Sequence, residues 1–232
     1  GSGILAANTT VNVAAGATLR GTNSGADITL AANLAGTGIV EFNPNLGGGQ
    51  RTVTLSGNNT GFTGTIRLLP LATGITTGTY ANSGTARISV NSTQYLGGAN
   101  VIIGDRSQIY FSGGTFTNNV TITGWGYADT GTAYGGVPVA ALGLQDYAGN
   151  SGFGALRIDG ATMSGTITLN GNAKISTYNG ANGVISGSLA TTNTTDVLVV
   201  GGGNYASNIY LTGTNNAGTN PLRDIWINNG GG

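Results

Sequence analysis

Paired carboxylates are the main catalytic groups to look for, because the chain lacks most other catalytic side chains. Its 232 residues include no His, no Cys and a single lysine, Lys174. Imidazole chemistry, thiolate nucleophiles and Cys/His zinc sites are therefore excluded. Glycoside hydrolysis would need two carboxyl groups about 5 to 9.5 Å apart. The eight acidic residues are isolated in sequence. Among them, Asp129 and Asp146 come nearest to a catalytic pair of carboxylates. We therefore expect no catalytic residue, no metal site and no cofactor.

The segment 124–154 is the second place where chemistry could lie, because aromatic rings and carboxylates collect in it. Loops on a rigid scaffold often carry binding, and aromatic rings beside carboxylates suit sugar rings. Two interpretations stay open: the segment contacts glycans, or its aromatic side chains cover an apolar flank of the scaffold. The candidate ligand-contact residues are Trp125, Tyr127, Tyr134, Tyr147, Asp129 and Asp146.

Short alternating segments must form the scaffold that holds this loop. Runs of about five residues alternate apolar and polar side chains, as in 52–56, 87–90 and 156–159, and clusters of Gly, Asn, Ser and Thr separate them. Such runs have the usual length of strands, and such clusters form turns. A sandwich or barrel would show similar spacing. Recurrence of a small-residue turn followed by an apolar strand instead favours stacked coils.

These patterns predict an all-β fold, a parallel β-solenoid of roughly ten coils. We expect a single domain over residues 1–232, with a loop insertion at 124–154. No capping helix or charged terminal coil is recognisable, so the ends are expected to be uncapped.

Charge and hydropathy restrict the partners. Charged residues make up 7% of the chain, and eight basic residues balance eight acidic ones. The arginines are scattered in sequence and give no basic stripe of the kind that follows phosphates, so no nucleic-acid partner is expected. No run approaches the roughly 18 apolar residues of a transmembrane helix, so no direct membrane insertion is expected.

One segment resembles a known repeat. Residues 51–66 read Arg-Thr-Val-Thr-Leu-Ser-Gly-Asn-Asn-Thr-Gly-Phe-Thr-Gly-Thr-Ile. This is similar to the autotransporter-associated β-strand repeat, whose pattern is a strand, Leu-Ser-Gly-Asn, an aromatic-Thr-Gly element and a second strand. The resemblance implies a right-handed parallel β-helix, with Gly57, Asn59, Phe62 and Gly64 at turn and ladder positions.

The same resemblance implies a function. It indicates a bacterial extracellular structural or adhesive protein, a stalk or coat segment of an autotransporter-like passenger, secreted or displayed at the outer membrane of a Gram-negative-type bacterium. The alternative is a subunit of an extracellular filament built by end-to-end stacking, and a glycan-binding or glycan-processing β-helix is a third. Expected partners are neighbouring coils of a longer chain, further copies, and glycans on host or cell surfaces.

Overall fold

The computed structural model describes residues 6–23, 26–44, 49–69, 83–104, 107–124, 126, 154–178, 180–202, 207–214 and 222–229. Strands make up most of this part of the chain, which also contains one short 3₁₀ turn, Thr93–Tyr95. No helix among these residues is long and apolar enough to cross a membrane. The strands are β1 (Thr10–Val13), β2 (Thr18–Asn23), β3 (Ile28–Leu30), β4 (Asn33–Gly36), β5 (Ile39–Pro44), β6 (Gly49–Leu55), β7 (Gly61–Phe62), β8 (Thr65–Leu68), β9 (Ser83–Val90), β10 (Asn100–Ile103), β11 (Ser107–Ser112), β12 (Thr115–Phe116), β13 (Val120–Gly124), β14 (Leu156–Asp159), β15 (Thr162–Met163), β16 (Ile167–Thr177), β17 (Gly183–Ile185), β18 (Leu189–Thr191), β19 (Val197–Gly202), β20 (Ile209–Leu211) and β21 (Asp224–Asn229).

All of the strand pairs in this part of the chain are parallel, and strands that follow each other along the chain generally do not pair. Instead, the chain returns to the same row after about three elements. Thus β1 pairs with β4 and β4 with β7, while β3 pairs with β6 and β6 with β9. The 3₁₀ turn Thr93–Tyr95 occupies the place of a strand between β9 and β10. The all-β prediction is confirmed, and the sheets are parallel.

Each passage of the chain through these rows is termed a coil here. The described strands form eight coils: β1–β3, β4–β6, β7–β9, β10–β11, β12–β14, β15–β16, β17–β19 and β20–β21. Paired residues in most neighbouring coils are 19 to 27 positions apart, as in Val101 with Val120 and Val197 with Asp224. The spacing rises to 35 between β8 and β10 and to 47 between β11 and β14. These two long intervals depart from the uniform period on which the expectation of roughly ten coils was based.

Alternate side chains of the strands fill one continuous apolar core. A single row crosses six coils through residues that are each at most 1% exposed: Val40, Ile66, Val101, Val120, Ile167 and Leu189. No single coil could bury its apolar side alone, so stacking of the coils supplies the hydrophobic stabilisation.

The long strand β16 joins two rows of strands into one 14-stranded sheet that nearly closes. Its first half pairs with β13 and β18, and its second half pairs with β14 and β19. Gly171 lies between the halves with φ +101°, a backbone conformation that residues with a Cβ rarely adopt. The bend there places the second half of β16 beside the strands that carry most of the charge discussed below.

Candidate functional site

The repeat-like motif forms a corner that ties three coils together. Asn59 is fully buried, and its Oδ1 accepts a hydrogen bond from the N–H of Leu34 in the preceding coil at 2.7 Å. Its Nδ2 donates to the carbonyl of Tyr95 in the following coil at 2.6 Å. The Asn59 main-chain N–H donates to Gln94 O at 2.7 Å. One side chain thereby satisfies backbone groups on both sides of its own coil.

The other three motif residues also have packing roles. A Cβ at Gly57 would lie 2.0 Å from Ala32 O, and a Cβ at Gly64 would lie 2.0 Å from Gly38 O. Both glycines therefore permit close approach of neighbouring coil backbones. Phe62 is fully buried in the core. These four positions hold the scaffold together and present no group for a ligand.

Asn and Asp oxygens link coils at several other corners. Each accepts a main-chain N–H from the next coil at 2.7 to 3.1 Å, so backbone donors at the corners are satisfied without a regular ladder. The acceptor and donor pairs are Asp27 with Thr52, Asn33 with Asn58, Asn119 with Thr166, Asn172 with Val197 and Asn182 with Asn208.

The candidate ligand-contact residues Trp125, Tyr127, Tyr134, Tyr147, Asp129 and Asp146 lie outside the described residues, so their glycan role stays a prediction. The structure does describe both flanks of this segment. Gly126 and Gly154 form a parallel bridge, and Gln108 Nε2 donates to Gly154 O at 2.8 Å. Gln108 is completely buried.

Four side chains on successive coils form a cation–aromatic ladder beside this bridge. The Arg87 guanidinium lies 5.6 Å from the centroid of the Tyr110 ring. The Arg157 guanidinium lies 4.5 Å from the same ring and 5.0 Å from the ring of Tyr178. The register places Tyr110 directly beside Arg157 on β11 and β14. Contacts of this kind contribute about 0.5 to 2 kcal/mol each, more where water is excluded.

Asp159 anchors the centre of the ladder. Arg157 donates from Nε to Asp159 Oδ2 at 2.9 Å and from its terminal nitrogen to the same oxygen. Asp159 Oδ1 accepts the main-chain N–H of Tyr178 at 2.8 Å. Burial, followed by the negative charge of Asp159, raises the pKa of the Tyr110 hydroxyl. The phenol thus stays protonated in alkaline solution that would ionise a free tyrosine.

Lys174 lies on the same set of strands, in the second half of β16. Ala173 and Ile175, its neighbours in sequence, belong to the core, so Lys174 lies on the opposite side of the strand. Lys174 is nevertheless only 5% exposed. Burial lowers its pKa from 10.5 to about 8. A buried ammonium group is costly, and the lowered pKa is the expected consequence.

The strands β6, β9, β11, β14 and the second half of β16 are termed the basic face. Their described side chains include one acid, Asp159, and four bases. Arg51 pairs with the buried Ala86 and lies on the core side of the sheet, whereas Arg87, Arg157 and Lys174 lie on the opposite side. The sequence led us to expect no basic stripe, because these residues are far apart along the chain. The parallel register brings their strands side by side. Arg51 and Arg87 nevertheless lie on opposite sides of the sheet, so the expectation of no basic stripe stays a prediction.

Charges on the neighbouring row of strands are arranged differently. Glu41 Oε1 accepts from Arg20 Nε at 2.9 Å, and Glu41 Oε2 accepts from an Arg67 nitrogen at 3.2 Å. Register places the three residues on consecutive strands β2, β5 and β8. Signs alternate from coil to coil here, so each base has an acidic neighbour. On the basic face, Arg157 is likewise paired with a carboxylate, that of Asp159.

The chemistry available to the basic face is recognition. Guanidinium groups bind carboxylates and sulfates through paired hydrogen bonds, and tyrosine rings supply flat apolar surface. Among the described residues, no group of three or more His, Cys, Asp or Glu side chains is placed to hold a metal ion. The carboxylate of Asp159 is engaged by Arg157 and Tyr178.

Sequence inspection missed this face for a definite reason. Alternation of apolar and polar residues predicts that Arg87, Tyr110 and Arg157 point away from the core. It cannot predict that they lie in neighbouring coils, because their separations of 23 and 47 residues follow no constant period. No family model, curated protein or solved structure matches the chain. Function must therefore be inferred from the residues themselves.

Proposed function

We propose that the chain is a right-handed parallel β-helix that serves as a structural and adhesive segment of a bacterial extracellular surface protein. It would form part of an autotransporter-type passenger, secreted or displayed at the outer membrane of a Gram-negative-type bacterium. The observation that carries this proposal is the pairing of strands one coil apart, parallel throughout, around one continuous core. The repeat-like corner at 57–64 supports the passenger assignment.

A stalk exposed outside the cell must resist unfolding without chaperones. The sequence has no Cys, so disulfides cannot contribute. Hydrogen bonds accepted by Asn59, Asn33 and Asn119 at the corners stabilise the fold instead, because each couples one coil to the next. Only 7% of the residues are charged, so the uncharged polar residues at the corners also help to keep the surface polar.

Adhesion is the activity that the surface supports best. A rod-like stack of coils presents the same face repeatedly along its length, which favours many weak contacts acting together. The C-terminal flank of the 124–154 segment leads into β14 of the basic face, so a ligand on the segment would be close to that strand.

Bead adhesion under flow tests the proposal. Beads coated with the purified chain are passed over immobilised cell-surface extracts, and the control beads carry a variant lacking residues 126–153. We expect coated beads to be retained and albumin-coated beads to wash off; the variant reports whether the segment contributes. Failure of both forms to be retained on every surface, with circular dichroism showing folded protein, would refute the adhesive role.

A filament subunit is the second candidate, and Ile225 favours it. This residue pairs with the fully buried Leu198 in the preceding coil, yet it is 41% exposed. A further coil, from a longer chain or from another copy, would cover it. Sedimentation velocity separates these cases, because end-to-end stacking predicts a sedimentation coefficient that rises with concentration.

A further inference from the structure

We propose that Asn170 is a self-modification site, at which the main-chain nitrogen of Gly171 displaces ammonia from the Asn170 side chain. The product is a succinimide ring, which water opens to aspartate or isoaspartate. The two residues lie at the bend of β16, where its two halves join. This inference concerns the chemistry of the chain itself and does not depend on the adhesive function given above.

The backbone at this bend departs from the regular strand ladder. Ile122 of β13 pairs with Leu169 of β16. Two positions further along β13, Gly124 pairs with Ala173, which is four positions further along β16. Gly171 lies in this irregular stretch with φ +101°, and its N–H donates to a side chain. Because glycine has no Cβ, its nitrogen is easily approached for ring closure.

A carboxylate lies within reach of the Gly171 proton. The Gly171 N–H donates to Asp196 Oδ2 at 3.1 Å. Asp196 is only 4% exposed, and its Oδ2 also accepts the hydroxyl proton of Thr191. A general base must lie about 2.6 to 3.2 Å from the atom whose proton it removes. Asp196 therefore has the position of the base that turns the Gly171 nitrogen into a nucleophile.

Hydroxyl groups lie beside the two oxygen atoms on which negative charge develops. Thr123 Oγ1 donates to the main-chain oxygen of Asn170 at 3.0 Å, where charge collects when the Gly171 proton leaves. Thr192 Oγ1 lies 3.2 Å from Asn170 Oδ1, where charge collects as the ring closes. The same hydroxyl lies 3.3 Å from Leu169 O, so its proton can turn to Oδ1 when that charge appears. Donors aimed at developing charge are a main source of rate enhancement.

The reaction balances with water as its only co-reactant. Asp196 takes the Gly171 proton, a bond forms between the Gly171 nitrogen and Asn170 Cγ, and the Cγ–Nδ2 bond breaks. The proton passes from Asp196 to the departing nitrogen, which leaves as ammonia. Water then adds to either carbonyl of the ring. One opening gives aspartate; the other gives isoaspartate, which adds a methylene group to the main chain of β16.

A second Asn-Gly pair supplies an internal comparison. Asn182 is exposed, like Asn170. The N–H of Gly183, however, donates to the main-chain oxygen of Asn208 at 2.8 Å, where β17 pairs with β20. A neutral carbonyl oxygen takes up a proton far less readily than a carboxylate, so the Gly183 nitrogen gains no base from this bond. The structure therefore predicts different rates at two sites that share the same dipeptide.

Peptide mapping by mass spectrometry tests the inference. The complete folded chain is kept at neutral pH and physiological temperature in water enriched in heavy oxygen, and deamidation at Asn170 and Asn182 is followed over time. We expect Asn170 to react at least about tenfold faster than Asn182, with incorporation of one heavy oxygen atom and formation of both aspartate and isoaspartate. In guanidinium chloride the two rates should be similar, and Asn170 should react more slowly than in the folded chain, because the folded geometry is lost.

A matched pair of variants identifies the base. Asp196→Asn keeps an oxygen that can accept the Gly171 N–H but removes the carboxylate, so the Asn170 rate should fall at least about tenfold. The control is Asp27→Asn, because Asp27 Oδ1 also accepts a main-chain N–H from the next coil, that of Thr52 at 2.8 Å. This distant change should leave the Asn170 rate within about twofold. Circular dichroism verifies that both variants are folded.

Equal rates at Asn170 and Asn182 in the folded chain would overturn the inference, as would an Asn170 rate that is lower in the folded chain than in guanidinium chloride. An unchanged Asn170 rate in folded Asp196→Asn would do the same. If that variant does not fold, the comparison of the folded and denatured parent chain decides alone. Bead adhesion is measured on the unmodified chain, so this inference can fail without the adhesive function failing.

Discussion

Replacement of Asn59 by Ala tests whether corner side chains hold the coils together. The substitution removes both hydrogen bonds of the buried amide and leaves the Leu34 N–H and the Tyr95 carbonyl without their partner. An orphaned buried donor or acceptor costs about 1 to 3 kcal/mol. Two such groups give an expected loss of about 2 to 6 kcal/mol in the free energy of unfolding.

Urea unfolding followed by circular dichroism measures this loss. With a slope of about 3 kcal/mol per molar urea, a loss of about 4 kcal/mol lowers the midpoint by a little over 1 M. The neighbouring Asn58→Ala variant is the matched control. Asn58 is exposed, and its Oδ1 accepts only the local N–H of Thr60, at 3.2 Å. Its removal should cost about 0.5 kcal/mol or less.

The comparison between the two asparagines decides the interpretation. If Asn59→Ala and Asn58→Ala lower the midpoint equally, the buried amide does not couple the coils and the corner argument fails. A large effect of Asn59→Ala with an unchanged slope shows that the folded state alone has been weakened.

Three further predictions concern the glycines, the lysine and the long segment. Gly64→Ala should lower the free energy of unfolding by about 1 to 3 kcal/mol, because its Cβ would lie 2.0 Å from Gly38 O. Gly61→Ala, where the nearest atom is 3.7 Å away, should be neutral or slightly stabilising in the same urea titration; equal effects would contradict the close-approach argument. The Lys174 pKa of about 8 means that the unfolded chain binds more protons between pH 8 and 10.5. Stability from this group should therefore rise across that window, by up to about 3 kcal/mol, and Lys174→Met should abolish the rise; a flat profile in the parent chain would contradict it. Deletion of residues 126–153 should leave a folded chain with an intact cooperative transition, and loss of the strand signal in circular dichroism would show that the segment is needed for folding.

The deletion follows from the register. Ile122 and Leu156 are inward residues on either side of the long segment, and their counterparts in the preceding coil, Ile103 and Ile109, are six positions apart. In the next coil, Leu169 and Ile175 are also six apart. Removing 28 residues brings Ile122 and Leu156 to this same separation. The shortened coil therefore has the length of both of its neighbours.

Local features of the fold could be predicted from the sequence. The strands near 52–56, 87–90 and 156–159 were predictable because apolar residues that face the core alternate with polar residues along the sequence. The motif residues Gly57 and Gly64 lie at corners where backbones approach closely, as their residue type suggests. These properties depend on neighbours within a few positions.

Register could not be predicted, and the candidate site depends on register. Corners of unequal length change the spacing between paired residues from 19 to 47 positions, so no period connects Tyr110 to Arg157. Sequence inspection therefore placed activity in the aromatic segment 124–154, where the residues are close along the chain. The strands beside it carry a cluster that only the parallel pairing reveals.

The contrast between the two sets of charges indicates what each is for. Arg20, Glu41 and Arg67 alternate in sign on consecutive strands, which is the arrangement that minimises repulsion in a stack of coils. Arg87 and Arg157 instead flank a tyrosine, and a single carboxylate accompanies them. Two like charges about 10 Å apart repel weakly at a solvated surface, by a few tenths of a kcal/mol in water and more where burial lowers the dielectric. In both sets a carboxylate binds a guanidinium directly, so both arrangements are explained by lower repulsion within the stack.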